Sequence, residues 1–97
     1  MKAIFITYNQ ALTERVHDIL DDNNVRGYTK WELTTGRGSE DGEPHLGTHA
    51  WPSMNSSILA IVKKSKVKPL LEALRAMDST TSRQGSRAFV WDIEEVS

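Results

Sequence analysis

The stretch "SSILAIVKKSKVKPLLEALRAM", residues 56–77, decides the fold because its apolar pattern changes once, from a continuous run to a helical stripe. Up to Val62 the run is short and aliphatic, which reads as a strand. Beyond the lysines, Val67, Leu70, Leu71, Leu74 and Met77 share one side of a helix. Ser65 is placed to cap that helix, and Pro69 then falls in the first turn, where its missing N–H is tolerated.

The chain opens on the same strand-then-helix pattern. "KAIFITY", residues 2–8, is rich in β-branched and aromatic side chains and reads as a strand. Asn9 can cap the following helix, in which Leu12, Val16, Ile19 and Leu20 form the apolar stripe, and "DDNN", residues 21–24, ends it. "YTKWELTT", residues 28–35, is a further strand with Trp31 and Leu33 on one face and Lys30 and Glu32 on the other. After a turn-forming segment at residues 78–86, "RAFVWDIEEV", residues 87–96, is the last strand. Two βαβ units in succession give an α+β fold, the ferredoxin-like double βαβ sandwich: an antiparallel sheet with two helices on one face.

Alternation makes the uncovered face informative. In the first strand it separates Ala3, Phe5 and Thr7 from Ile4, Ile6 and Tyr8; in the third it separates Ile58, Ala60 and Val62 from Leu59 and Ile61. Both faces of both strands are largely apolar. Helices cover only one of them, so the other is expected to be buried between subunits.

Residues 1–97 are expected to form a single domain with a modest core. The chain is 38% hydrophobic and 26% charged, an ordinary globular composition. A formal net charge of -1 argues against a general nucleic-acid binder. With no cysteine, disulfides, thiolate metal sites and cysteine nucleophiles are excluded. The longest apolar run, residues 58–62, is too short to span a bilayer, and the start lacks the apolar core of a signal peptide, so the cytoplasm is the expected location.

Function is first sought in "GRGSEDGEPHLGTHAWP", residues 36–52, because connections in compact domains usually run only about 4–6 residues. His45 and His49, with Glu40, Asp41 or Glu43 nearby, are candidate ligands for a divalent metal; two solvated loop histidines are the simpler reading. Trp51 is either an anchor for a partner protein or packing for the loop's return. Arg83 and Arg87 are candidates for binding phosphate or carboxylate, with balancing of nearby acids as the alternative. Lys63, Lys64, Lys66 and Lys68 are most simply a solvated patch, and His17 a surface residue. Trp31 and Trp91 are expected in the core or an interface. The sequence carries no nucleophile elbow, Walker loop or HExxH phrase, so a catalytic role is not expected.

The order of elements and several phrases resemble the PII family of trimeric signalling proteins across nearly the whole chain. Val25, Gly27, Thr29, Gly36 and Gly38 match that family's Gly-Val-x-Gly-hydrophobic-Thr phrase leading to Gly-x-Gly, and Arg87, Phe89, Val90, Glu94, Glu95 and Val96 match its ending. The resemblance implies a homotrimer that binds a small anionic effector, with ATP, ADP and AMP as candidates, in clefts between subunits. It also implies action on a protein target, a membrane transporter or an enzyme, through a T-loop at about residues 36–54. Effector-binding residues implied in this way are Gly36, Arg37, Gly38, Glu40, Thr80, Arg83, Gly85 and Arg87. The family's glycine-rich B-loop corresponds to "TTSRQGSR", residues 80–87, in which only Gly85 remains of its glycines. Glu40 stands where the family carries a glutamine that helps hold magnesium, and the loop has no tyrosine to modify. A metal-binding trimer resembling the CutA-type relatives of the same fold, using His45, His49 and the loop acids, is the alternative.

Overall fold

A computed structural model describes residues 1–37, 44–45, 54–80 and 86–97. Strand β1 (Lys2–Asn9) runs through a 3-10 turn (Gln10–Leu12) into α1 (Thr13–Asp22). Then follow β2 (Thr29–Thr34), the short β3 (Gly36–Arg37) and β4 (Pro44–His45), β5 (Asn55–Val62), α2 (Lys64–Thr80) and β6 (Ser86–Asp92). β2, β5, β1 and β6 form, in that order, an antiparallel four-stranded sheet, while β3 and β4 pair separately. This is the double βαβ arrangement expected from the periodicities.

The core lies between the sheet and the helices. Ile4, Ile6 and Tyr8 of β1 and Ile58, Ala60 and Val62 of β5 meet Leu12, Val16 and Leu20 of the first helical segment and Leu70, Leu74 and Met77 of α2, all buried. Each large aliphatic side chain buried there contributes roughly 1.5–3 kcal/mol, and these residues are the stripes the sequence spaced at helical and strand periods. Val67 and Leu71 are half-buried at the edge of the same cluster.

Local chemistry fixes the ends. Asn9 Oδ1 accepts from the Ala11 amide at 2.9 Å, capping the 3-10 turn that leads into α1. At the far end Asn24 takes a φ of 56°, a left-handed conformation that asparagine tolerates. There the Asn24 and Val25 amides bond back to the Asp21 and Leu20 carbonyls. Lys66 of α2 then donates to the Asn23 carbonyl at 2.6 Å, placing a cation at the negative end of α1.

Three boundaries differ from the sequence expectation. α2 begins at Lys64, so Ser65 lies inside it rather than capping it, and Pro69 sits in the helix interior. The chain turns straight from β5 into the helix, with the Lys66 amide already bonded to the Lys63 carbonyl at 2.9 Å. The helix also continues past Met77 to Thr80, where Ser79 and Thr80 fold their hydroxyls back onto the Ala76 and Met77 carbonyls. β6 stops at Asp92 instead of running on to Val96: Asp92, opposite Lys2, is its last paired residue, and the Ile93 amide makes one further bond to the Met1 carbonyl at 3.2 Å.

Candidate functional site

The face of the sheet away from the helices carries an apolar surface. Strand alternation and register place Ala3 and Phe5 of β1, Leu59 and Ile61 of β5, Phe89 and Trp91 of β6 and Trp31 of β2 on this side. Phe5 stands opposite both Leu59 and Phe89 and meets Trp31 edge-to-face, with ring centroids 6.3 Å apart. Phe89, Trp91, Trp31 and Ile61 are 55%, 48%, 46% and 37% exposed, so in a single chain this face is open to water. A contiguous patch of this kind marks an interaction surface. Trp31 and Trp91 therefore lie outside the single-chain core.

Arg87 lies on the same face. It pairs with Thr7, and alternation puts it in line with Phe89 and Trp91, where it is exposed. The segment before it is anchored by Asp78, whose Oδ1 accepts from the Ser86 amide at 3.1 Å and whose carboxylate also takes the Ser86 hydroxyl at 2.9 Å. That clamp ties the last turn of α2 to the first residue of β6. The sequence reading missed it, because nothing in the spacing of two polar residues in a polar stretch points to it. Thr80 donates its hydroxyl to the Met77 carbonyl and accepts from Arg15 Nη2 at 3.0 Å.

The long loop leaves the sheet as a narrow ladder, with Gly36 opposite His45 and Arg37 opposite Pro44. Its base follows β2, at one edge of the sheet, whereas Arg87 opens β6 at the other. Both are at the same end, since Thr34 pairs with Asn55, Asn55 with Asn9, and Ser86 with Tyr8. Three strand spacings of about 4.8 Å separate these edges, roughly 14 Å within one chain. Gly38, Glu40, His49, Trp51, Arg83 and Gly85 lie outside the described residues.

Two of the simpler surface readings are corrected. His17 is half-buried and connected: its Nδ1 is 3.2 Å from the Tyr28 hydroxyl and its Nε2 3.2 Å from Lys30 Nζ. An ammonium only donates, so Nε2 is the acceptor and the neutral ring carries its proton on Nδ1, directed to Tyr28. Helix proximity brings Tyr28, just before β2, and Lys30, within it, to one imidazole. Of the four lysines at residues 63–68, Lys66 is the helix tie described above rather than a solvated charge. Among the described residues, no group of three or more metal-ligating side chains comes together, and no helix is long and apolar enough to cross a membrane.

Comparison with known proteins places this geometry. The sequence model of the family described as Nitrogen regulatory protein P-II matches residues 1–97. Among solved structures, CPII from Thiomonas intermedia K12, a nitrogen regulatory PII-like protein bound to ADP, AMP and bicarbonate, has a TM-score of 0.77 and 29% identity over 95% of this chain and 84% of that one. The apo form of CPII gives a TM-score of 0.72 and 26% identity over 95% and 87%. A PII-like signalling protein from Thermus thermophilus shares the fold at a TM-score of 0.63 and 21% identity, over 93% and 83%. No curated protein matches. None of these similarities supports the CutA-type alternative. With the family matched from end to end and the sheet order and helices in agreement, the chain belongs to the nitrogen regulatory protein P-II family.

Proposed function

We propose that this chain is a PII-like regulatory protein that assembles as a homotrimer in the cytoplasm. In this reading it takes a small anionic effector into clefts between its copies and acts on a protein target through the loop at residues 36–54. The carrying observation is the division of the effector-binding candidates between opposite edges of one end of the sheet. A site containing both the loop base and Arg87 is made compactly only when a neighbouring copy brings its loop base to this copy's Arg87. The open apolar face supports such packing of copies, because it leaves large aromatic side chains in water otherwise.

Adenine nucleotides and bicarbonate are the effectors to test first, since CPII is described with ADP, AMP and bicarbonate bound. In this role Arg87 and Arg83 supply guanidinium contacts to the anion, and Gly36, Arg37, Gly38 and Glu40 of the adjoining loop base, with Thr80 and Gly85, complete the effector-binding set. Trp51 is the anchor for the protein target.

Light scattering combined with calorimetric titration of ADP, AMP and bicarbonate tests this. The expected result is a trimer that binds at least one of them. A folded monomer would eliminate the cleft, and a trimer that binds none would separate the assembly from the family's ligand mode.

A further inference from the structure

A second concave surface lies on the helix side, away from the sheet face and loop. Val67 and Leu71 of α2 and Val90 of β6, all half-buried, floor a cavity of about 360 Å³, and Lys64, Lys68 and Arg75 of α2 with Lys2 of β1 surround it. On α2 these residues fall at i, i+3, i+4, i+7 and i+11, one continuous ridge. Among the described residues, no acidic side chain lines it.

The charges on this ridge work against their own helix. Lys64, Lys66 and Lys68 crowd the N-terminal part of α2, whose first turn contains no acid. Backbone dipoles make that end positive, so cations there destabilise the helix, and the Lys64 and Lys68 pair at i, i+4 adds repulsion. Of the three, Lys66 is compensated through the Asn23 carbonyl and Lys64 in part by the charge of Asp92. Local rules broken with so little internal return are expected where a surface serves a ligand.

The geometry points to this groove as a docking site for an acidic, amphipathic peptide segment of a protein partner. Lys64, Lys68 and Arg75 call for carboxylates, and the aliphatic floor calls for apolar side chains between them, which a bare inorganic anion lacks. From Lys64 to Arg75 the ridge rises about 16 Å, longer than a small metabolite and suited to a few turns of helix or a short extended segment. The chain itself supplies an example of the favoured chemistry. Asp92, at the rim, pairs with Lys2 at 2.6 Å. Its carboxyl is held below the ordinary range by that hydrogen bond first, and by the charges of Lys2, the N-terminus and Lys64. Lys2 is 24% exposed and already paired, so an incoming carboxylate meets Lys64, Lys68 and Arg75. This inference goes beyond the effector cleft and does not depend on it.

Fluorescence anisotropy of the full chain with a short fluorescein-labelled peptide of glutamate and leucine tests the assignment. Binding should be saturable and weakened by salt. The Lys64→Glu, Lys68→Glu double variant should lose about tenfold or more in affinity, and Leu71→Ser should also weaken binding. Lys63→Glu, a like charge change on the same segment outside the groove, should leave affinity near that of wild type. Circular dichroism checks folding, and Val90→Thr repeats the floor test should Leu71→Ser not fold. No binding by wild type, equal weakening by Lys63→Glu, or insensitivity to the floor substitutions would each overturn the proposal. Displacement by inorganic phosphate at concentrations comparable to the peptide would do the same, because the groove would then recognise charge alone.

Discussion

At Tyr8 the phenol ring fills the helix-side core while its hydroxyl, fully buried, makes no well-formed hydrogen bond among the described residues. The Thr13 and Ser56 hydroxyls stand close to it. Burial raises the Tyr8 pKa, and those two hydroxyls only partly offset it. The folded state therefore favours the neutral phenol. The resulting stability is fully present below the ordinary phenol range near pH 10 and is lost as pH rises through the higher native value. Tyr8→Phe should change stability at neutral pH by less than about 1 kcal/mol, and in urea unfolding it should flatten the alkaline decline relative to wild type. At Arg87 the expectation concerns ligand. Arg87→Ala should lower affinity for the anionic effector by roughly tenfold to a hundredfold, the equivalent of one charge-assisted hydrogen bond. Titration calorimetry on a variant of unchanged mass checks this, and unaltered affinity would leave Arg87 a surface charge.

α2 carries two sources of instability that can be removed separately. Pro69 denies the Ser65 carbonyl its helical hydrogen bond and sits beyond the turn where proline is tolerated. An interior proline costs up to about 3 kcal/mol, and releasing its ring returns some freedom to the unfolded chain. Pro69→Ala should thus stabilise the protein by about 1–2 kcal/mol in denaturant titration; a loss of stability would mean that the ring's contacts outweigh the missing bond. Lys64→Glu places an acid at the positive helix end and should add about 0.3–1 kcal/mol while removing the acidic peptide from its groove. A gain in stability accompanied by a loss of binding is the signature of a residue retained for recognition.

Over the whole molecule, the sheet buries one face within the chain and leaves the other, with its aromatic side chains, exposed. Phe89, 55% exposed and directly opposite Phe5, lies midway along the edge strand β6 on the open face. Phe89→Glu should convert the proposed trimer to monomer, with mass read by light scattering, because burying an unpaired carboxylate costs several kcal/mol. The single-chain fold should survive, since the side chain does not enter the helix-side core. Retention of the trimer by a folded variant would show that the aromatic face is not the surface joining the copies.

Much of this arrangement is legible in the sequence because burial writes periodic patterns. The stripes Leu12, Val16, Leu20 and Leu70, Leu74, Met77 and the strand residues Ile4, Ile6 and Ile58, Ala60, Val62 meet in the core as their spacing requires. The second apolar face is equally readable, from Ala3 and Phe5 with Leu59 and Ile61. Element boundaries were less legible, since Pro69 inside α2 and the end of β6 at Asp92 depend on how the chain turns after Val62 and on the register of β6 against β1. Tertiary structure alone decided which residues distant in sequence became neighbours. Asp78 met Ser86, His17 met Tyr28 and Lys30, and the ridge of α2 met Lys2 and Val90. The strand order likewise put the loop base and Arg87 at opposite edges of one end. Periodicity specifies the face on which a side chain lies, but packing and strand order specify its company, and the candidate site and groove are made of that company.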